Sequence, residues 1–393
     1  MSQNATIGID CRLAGLKNAG IGRHILNLCL RLPFMAPGEW RLVYFLADKA
    51  QWAELMSHLS EINLPAGTNA QDYLGRVQTV IAPIKHYTLQ EQRQMPAIFA
   101  GANLDLLHVP HFNLPYLTKI PRVVVTIHDL LWHEKKGKDV TTLPAWQYYL
   151  KYQGYKIITK HAVQSARAII TPSKTIGETV GRFYPQVKNK IRIIYNGVND
   201  FHLDNCPPFY LKVPEQYLLY VGSLYPHKNV GLLLQALAQN RDLKLVIVSA
   251  RDAFWEQTQA QIKSHQLESQ ITFLGQVNDC QLSYLYAHAQ ALIQPSLSEG
   301  FGLTGIEAMR AGCLVMASDI PIFQEIYGRN FVKFDPLDVN SFLQSVQDLR
   351  RWRTPEIIAA NRQLAAGYTW ERMTEHTIQV YQEVLGSSAA QNT

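Results

Sequence analysis

Two glutamates, Glu299 and Glu307, bracket the run Gly300-Phe301-Gly302-Leu303-Thr304-Gly305-Ile306, directly after the apolar stretch Ala291-Leu292-Ile293. The pattern reads as a buried strand, a glycine-rich turn and the first turn of a helix. Backbone N–H groups at a helix start favour anionic ligand groups. Gly300 and Gly302 would let a ligand approach the main chain where a side chain would collide. Helical side chains lean toward the N-terminus, so Glu307 can reach back toward the pocket that Glu299 faces. An ionised carboxylate only accepts hydrogen bonds, which suits the vicinal hydroxyls of a sugar or ribose. Taken alone, the segment reads equally well as an ordinary helix start with a capping glutamate.

Other residues could join this chemistry. Leu218-Leu219-Tyr220-Val221 reads as a buried strand, Gly222-Ser223 as a turn, and Lys228-Asn229 as the opening of the next helix. An ammonium beside helix-terminal amides can anchor a diphosphate, although a single loop lysine is more often merely solvated. In the first half, Asn18-Ala19-Gly20-Ile21-Gly22-Arg23 follows the first strand. Ile25 stands where a dinucleotide fingerprint needs its third glycine, so Gly20 and Gly22 form only a weak GxG, open to reading as a structural turn. Val123–Ile127 runs into His128-Asp129-Leu130, which puts a histidine at the carboxyl end of a buried strand; the alternative is a structural ring held by Asp129. His108-Val109-Pro110-His111 mimics a metal pair without a carboxylate or thiol to complete it, and is expected to be structural or acceptor-side.

These residues need a scaffold of two domains. A chain of 393 residues exceeds one hydrophobic core of usual size, and 47% hydrophobic with 17% charged residues is a globular composition. Strand-like and helical patterns alternate through both halves, which implies parallel sheets covered by helices on both faces, an α/β architecture. The expected domains are 1–198 and 215–370, with Asn199–Pro214 as a linker rich in turn formers and 371–393 as a returning helix. No apolar run is long enough to span a bilayer, and no signal peptide is evident. Five cysteines (Cys11, Cys29, Cys206, Cys280, Cys313) lack metal or disulfide spacing and are expected as core residues in a reducing, cytoplasmic setting. A net charge of +6 fits anionic nucleotides or an anionic membrane surface but is too dispersed to argue for nucleic acid. The stretch 132–160 mixes Lys135, Lys136, Lys138, Lys151, Lys156 and Lys160 with Trp146, Tyr148, Tyr149, Tyr152 and Tyr155. It reads either as peripheral contact with the inner face of the cell membrane or as a helix with an aromatic core face.

The stretch from Gln294 to Glu325 resembles the signature of retaining glycosyltransferases of family 4, through Glu299, Gly300, Phe301, Gly302, Leu303 and Glu307, and the resemblance covers nearly the whole chain. It implies the GT-B class: two doubly wound Rossmann-like domains facing a central cleft, with a nucleotide-sugar donor and a saccharide or lipid-linked acceptor. By resemblance, Glu299 and the turn through Thr304 orient the donor sugar, Glu307 holds the ribose, and Ser223 and Lys228 meet the diphosphate. Gly20, Gly22 and Arg23 match the family's opening loop, and His128 its histidine beside the reacting carbon. Two departures stand out: Ser223 and His227 occupy positions where relatives carry arginine, so the diphosphate is less neutralised unless His227 or Arg251 helps. The Asp-x-Asp of metal-using glycosyltransferases of the other major fold is absent, so no metal or other cofactor is expected. The opening loop and the His-Asp-Leu segment look most like mannosyltransferases, which makes GDP-mannose the first donor and surface polysaccharide the expected product. A UDP-sugar transferase, a sugar-nucleotide epimerase of the same fold, a dinucleotide oxidoreductase and a non-catalytic glycan-binding protein are the competing readings.

Overall fold

The computed structural model describes residues 4–15, 18–62, 70–137, 141–199, 206, 210–250 and 253–386. Short Val-, Ile- and Leu-rich runs form the inner strands, buried on both faces, the pattern that parallel sheets require. The first seven are β1 (Ala5–Asp10), β2 (Trp40–Leu46), β3 (Val77–Ile81), β4 (Leu106–Val109), β5 (Val123–Thr126), β6 (Ala168–Thr171) and β7 (Ile191–Ile193). They pair in the order β3-β2-β1-β4-β5-β6-β7, all parallel. A second sheet comprises β8 (Leu218–Val221), β9 (Leu245–Val248), β10 (Ile271–Gly275), β11 (Ala291–Gln294), β12 (Val315–Ser318) and β13 (Val332–Phe334). Its order is β10-β9-β8-β11-β12-β13, again all parallel. In each sheet the winding reverses beside the first strand, between β1 and β4 and between β8 and β11. The carboxyl ends of those strands are where open α/β sheets hold ligands.

The chain divides into two compact units. The first runs to Leu130 and includes Tyr149–Gly197 and everything from Thr369; the second holds Leu131–Tyr148 and Val198–Tyr368. The boundary expected from sequence kept 131–148 in the first domain, whereas those residues cluster with the second. Of the expected linker, only Asn199, Cys206 and residues 210–214 lie among those described. Strands β3 and β13 had no apolar run to announce them. Each is a sheet edge, and β3 carries exposed Gln78 and Thr79.

One expectation is overturned here. Cys206 and Cys280 form a disulfide across 74 residues, with their Cα atoms 5.6 Å apart. Cys11, Cys29 and Cys313 are the free, buried cysteines. Nothing in the local spacing could reveal a pair that depends on Cys206 lying beside the first turn of the helix Asp279–His288. Cysteine usage therefore no longer argues for a reducing compartment.

The helix Trp370–Gly386 belongs to the first unit. Arg31 Nε reaches Glu371 Oε1 at 2.6 Å, and Arg192 pairs with Glu383. Gly197 packs so tightly on the helix start that a Cβ there would lie 2.1 Å from the Trp370 nitrogen. Deeper, the buried His108 is bonded on both sides, Nδ1 to the Tyr381 hydroxyl at 2.6 Å and Nε2 to Thr126 Oγ1 at 2.8 Å. That places His108 in a structural role. Replacing Tyr381 by Phe should cost about 1–3 kcal/mol by leaving a buried ring nitrogen unpartnered. Urea unfolding of the Tyr381→Phe variant measures it, and an unchanged midpoint would mean the contact is energetically idle.

Candidate functional site

In the second unit, the loops leaving β8 and β11 are joined at the backbone, the Leu297 N–H donating to the His227 carbonyl at 2.7 Å. The same two loops bring Lys228 and Glu299 together, Nζ to Oε1 at 2.6 Å, with side chains 21% and 13% exposed. Ser296 Oγ donates to the same Glu299 oxygen at 2.9 Å. Lys228 closes a short 3₁₀ turn, Pro226–Lys228, and does not itself open a helix. Asn229, left-handed at φ 57°, separates that turn from the helix Val230–Gln239. Its amide is fixed by the Pro336 carbonyl at 2.8 Å.

The helix Leu303–Arg310 starts one residue past the left-handed Gly302, φ 86°. Glu307, 3% exposed, sits inside it and accepts from the Tyr286 hydroxyl at 3.2 Å. Behind the glycine turn lies Tyr327, whose hydroxyl is 2.6 Å from both Gln294 Oε1 and the Gly302 carbonyl. Burial, and after it the charges of Glu299 and Glu307 among other influences, push this phenol well above its ordinary pKa. The charges of both carboxylates thus act on one buried hydroxyl.

Several residues expected to face a donor are committed to packing. A Cβ on Gly302 would meet the Tyr327 hydroxyl at 2.3 Å, and one on Gly305 would meet it at 2.2 Å. The side of Gly302 that lacks a Cβ is therefore filled by Tyr327, not left open for a ligand. Phe301 is 4% exposed, belongs to the core and packs edge-on against Tyr368, so only its main chain can meet a ligand. Leu303 packs against the same core. Thr304 Oγ1 accepts from Gln294 Nε2 at 2.8 Å. Ser223 lends its carbonyl to the Tyr220 hydroxyl. His227 cannot replace the missing arginine as a cation. Burial, aided by Lys228, lowers its pKa to about 4, so its ring is neutral near pH 7. Arg251 and Lys138 lie outside the described residues.

In the first unit, Gly22 turns its bare Cα toward its own loop, where a Cβ would lie 2.0 Å from the Gly15 carbonyl. Gly20 and Arg23 occupy the first turn of the helix Ala19–Met35. His128 follows β5, and its Nε2 is 3.1 Å from the Pro110 carbonyl. That oxygen only accepts, so Nε2 carries the proton and Nδ1 of the neutral ring is an acceptor. The Pro110 carbonyl thus supports the His128 ring at Nε2. His24 meets the His128 ring edge to face, centroids 4.8 Å apart. Its Nδ1 lies 2.8 Å from Asn196 Oδ1, while the buried Nε2 has no hydrogen-bond partner among the described residues. Among those residues no group of three or more His, Cys, Asp or Glu is arranged to hold a metal ion.

A further cluster was invisible in the sequence. The buried Arg12 binds Asp10 (Nη2 to Oδ2, 2.6 Å) and Glu91 (Nη2 to Oε1, 2.8 Å). Burial works to raise the Asp10 pKa, but the charge and hydrogen bonds of Arg12 prevail and hold it below its usual value. Glu91 also accepts from Asn113 Nδ2 and from the Tyr87 N–H, both at 2.7 Å. Tyr87 is left-handed at φ 63°, a conformation costing a non-glycine residue about 1–3 kcal/mol. Arg12 and Glu91 stand 79 positions apart, so no local spacing signals them. Tyr286 and Tyr327 escaped for the same reason.

The histidines make a pH prediction. Burial lowers His24 to about 4 and His108 and His111 to about 3, from an ordinary 6.5. Above pH 6.5 both folded and unfolded chains hold neutral rings; below it the unfolded chain takes up protons that the folded one refuses. Stability should fall as pH drops from about 6.5 toward 4, His24 alone accounting for roughly 3 kcal/mol. Urea midpoints at pH 7, 5.5 and 4.5 check this, and a flat series would contradict it.

Comparison with known proteins accords with this geometry. The model for glycosyltransferase family 4 matches residues 19–200, and that for glycosyl transferases group 1 matches residues 209–351. The chain is 26% identical over 298 residues to O-antigen chain mannosyltransferase RfbU of Salmonella typhimurium, covering 75% of this chain and 78% of that one. It is 26% identical over 388 residues to O-antigen chain mannosyltransferase B of Escherichia coli, covering 92% and 95%. Among solved structures, sucrose-phosphate synthase from Thermosynechococcus elongatus superposes with a TM-score of 0.71 at 20% identity, covering 98% and 100% of the two chains. Anabaena HepE, solved with UDP and glucose, gives 0.70 at 17% identity, covering 97% and 100%. Two wholly parallel sheets and two matched models that together span most of the sequence lead to one conclusion: the chain belongs to the family 4, group 1 glycosyltransferases of the GT-B class and is an enzyme of that family.

Proposed function

We propose that this enzyme transfers a mannosyl group from GDP-mannose to a hydroxyl of a saccharide or lipid-linked saccharide, with retained anomeric configuration, in the synthesis of a bacterial surface polysaccharide. The observation that carries the reading is the Lys228–Glu299 ion pair between the loops after β8 and β11, with Glu307 buried in the helix that follows the second loop. Lys228 is the only formal cation between Gly222 and Asn229. An ammonium has three donors, so Lys228 can keep Glu299 and add a phosphate oxygen. Negative charge growing on the departing diphosphate would be stabilised by Lys228 and by the amides that follow Glu299. Glu299 would orient sugar hydroxyls while Glu307 accepts from the ribose. The neutral His128 would offer Nδ1 to a sugar hydroxyl. No covalent nucleophile is assigned; the leaving phosphate would take the acceptor's proton.

The mannosyltransferase names of the two O-antigen relatives support the donor. The UDP bound by the Anabaena neighbour favours a UDP-sugar as the second reading. GDP should raise the melting temperature by mass action more than UDP or ADP does, and Glu307→Ala should abolish that shift. A larger shift with UDP would transfer the assignment to the second reading. Lys228→Ala should lower kcat/KM by roughly 1.5–3 kcal/mol of transition-state stabilisation, and unchanged turnover at saturating donor would remove Lys228 from the mechanism.

No helix among the described residues is long and apolar enough to cross a membrane. Within the helix Ala145–Ser165, Tyr148, Tyr152 and Tyr155 are half-buried, Tyr155 packing edge-on against Phe112, while Trp146, Tyr149, Leu150 and Ile157 are exposed. With the exposed Lys151 and Lys160 they support a peripheral contact with an anionic surface. The protein should sediment with phosphatidylglycerol vesicles and not with phosphatidylcholine vesicles; equal recovery in the supernatant would end this reading.

A further inference from the structure

Tyr87 is a bulky side chain in a backbone conformation that suits glycine, and the residue is 60% exposed. Burial therefore does not explain why it is there. The residue is nonetheless held at both ends. Its N–H is fixed by Glu91 Oε2, and Glu91 is fixed in turn by Arg12 and Asn113. Its hydroxyl lies 3.1 Å from Nε2 of the buried His111. The ring stands 5.9 Å from Phe112, which packs edge-on against Tyr155. Tyr87 follows β3, His111 and Phe112 follow β4, and Arg12 follows β1, so the group gathers at the carboxyl end of the first sheet, beside its reversal.

The charges nearby select the ligand. Asp10 and Glu91 outnumber Arg12, and burial lowers the pKa of His86, which lies 3.8–3.9 Å from both carboxylates, so that ring adds no positive charge at neutral pH. The charge of Asp129 also acts on the Tyr87 hydroxyl. Such a field repels phosphates and accepts a neutral ligand with hydroxyl donors. An exposed aromatic residue in a field that disfavours anions is complementary to a pyranose, which is neutral and has a C–H face to lay on a ring.

We propose that Tyr87, posed by the buried Asp10–Arg12–Glu91 frame, is a saccharide-recognition residue whose exposed face stacks on a pyranose of the acceptor. The assignment to an acceptor rests on the transferase reading above. Saturation-transfer NMR on the full chain with methyl α-D-mannopyranoside tests it without requiring turnover. Transfer to the pyranose protons should be present in the wild type and retained in Tyr87→Phe. It should weaken about tenfold in Tyr87→Ala and Tyr87→Gly, the scale of one lost aromatic stack. Glycine accepts the left-handed conformation, so Tyr87→Gly removes the ring while keeping the backbone; relief of the left-handed strain offsets the lost His111 partner, and the variant should still unfold cooperatively. Undiminished transfer in Tyr87→Gly, or none in the wild type, overturns the proposal. The GDP-induced melting shift, measured on the same variants, should be unchanged. If the wild type shows no GDP shift but sugar contact still depends on Tyr87, the donor reading fails while Tyr87 keeps its role.

Discussion

The second unit depends on one seam, where two loops leaving neighbouring parallel strands are tied together. Strands β8 and β11 are adjacent because the winding reverses between them, and a reversal leaves the loops above it uncovered by a crossover helix. The Leu297–His227 backbone bond and the Lys228–Glu299 ion pair close that gap. A partly buried pair of this kind gains more from Coulomb attraction than one in bulk water, yet keeps enough solvent access to exchange partners. The atoms that hold the loops together are thus the same atoms that a charged, hydroxyl-bearing ligand would engage.

Around the seam, packing sets what can be displayed. Tyr327 fills the space that Gly302 and Gly305 leave, so these glycines are required by a neighbour inside the protein. The result is a rigid start to the helix Leu303–Arg310, with Glu307 fixed by Tyr286 and main-chain groups held in place. Rigidity of this sort lowers the reorganisation needed when charge develops on a ligand.

Much of this was legible because residue type and local period carried it. The strand Ala291–Gln294 and the helices Val230–Gln239 and Pro355–Ala366 fall at the positions expected from their apolar patterns. Glu299, Glu307 and Lys228 were singled out through the resemblance to a family signature, since the residue types alone left an ordinary helix start and a solvated lysine equally open. What could not be read was pairing over distance: Tyr327 with Gln294, Arg12 with Glu91, Cys206 with Cys280. Those contacts exist only after the strands are ordered, and one sequence holds no record of that order. Edge strands β3 and β13 failed for a different reason, since partial exposure removes the apolar run that marks a buried strand.

Those edges have a consequence of their own. β7 and β13 are three-residue borders with a charged residue in the middle, Arg192 and Lys333, and β3 presents Gln78 and Thr79. Short, charged or polar borders discourage a second chain from adding a strand. A second copy of this enzyme should therefore not add a strand at β3, β7 or β13.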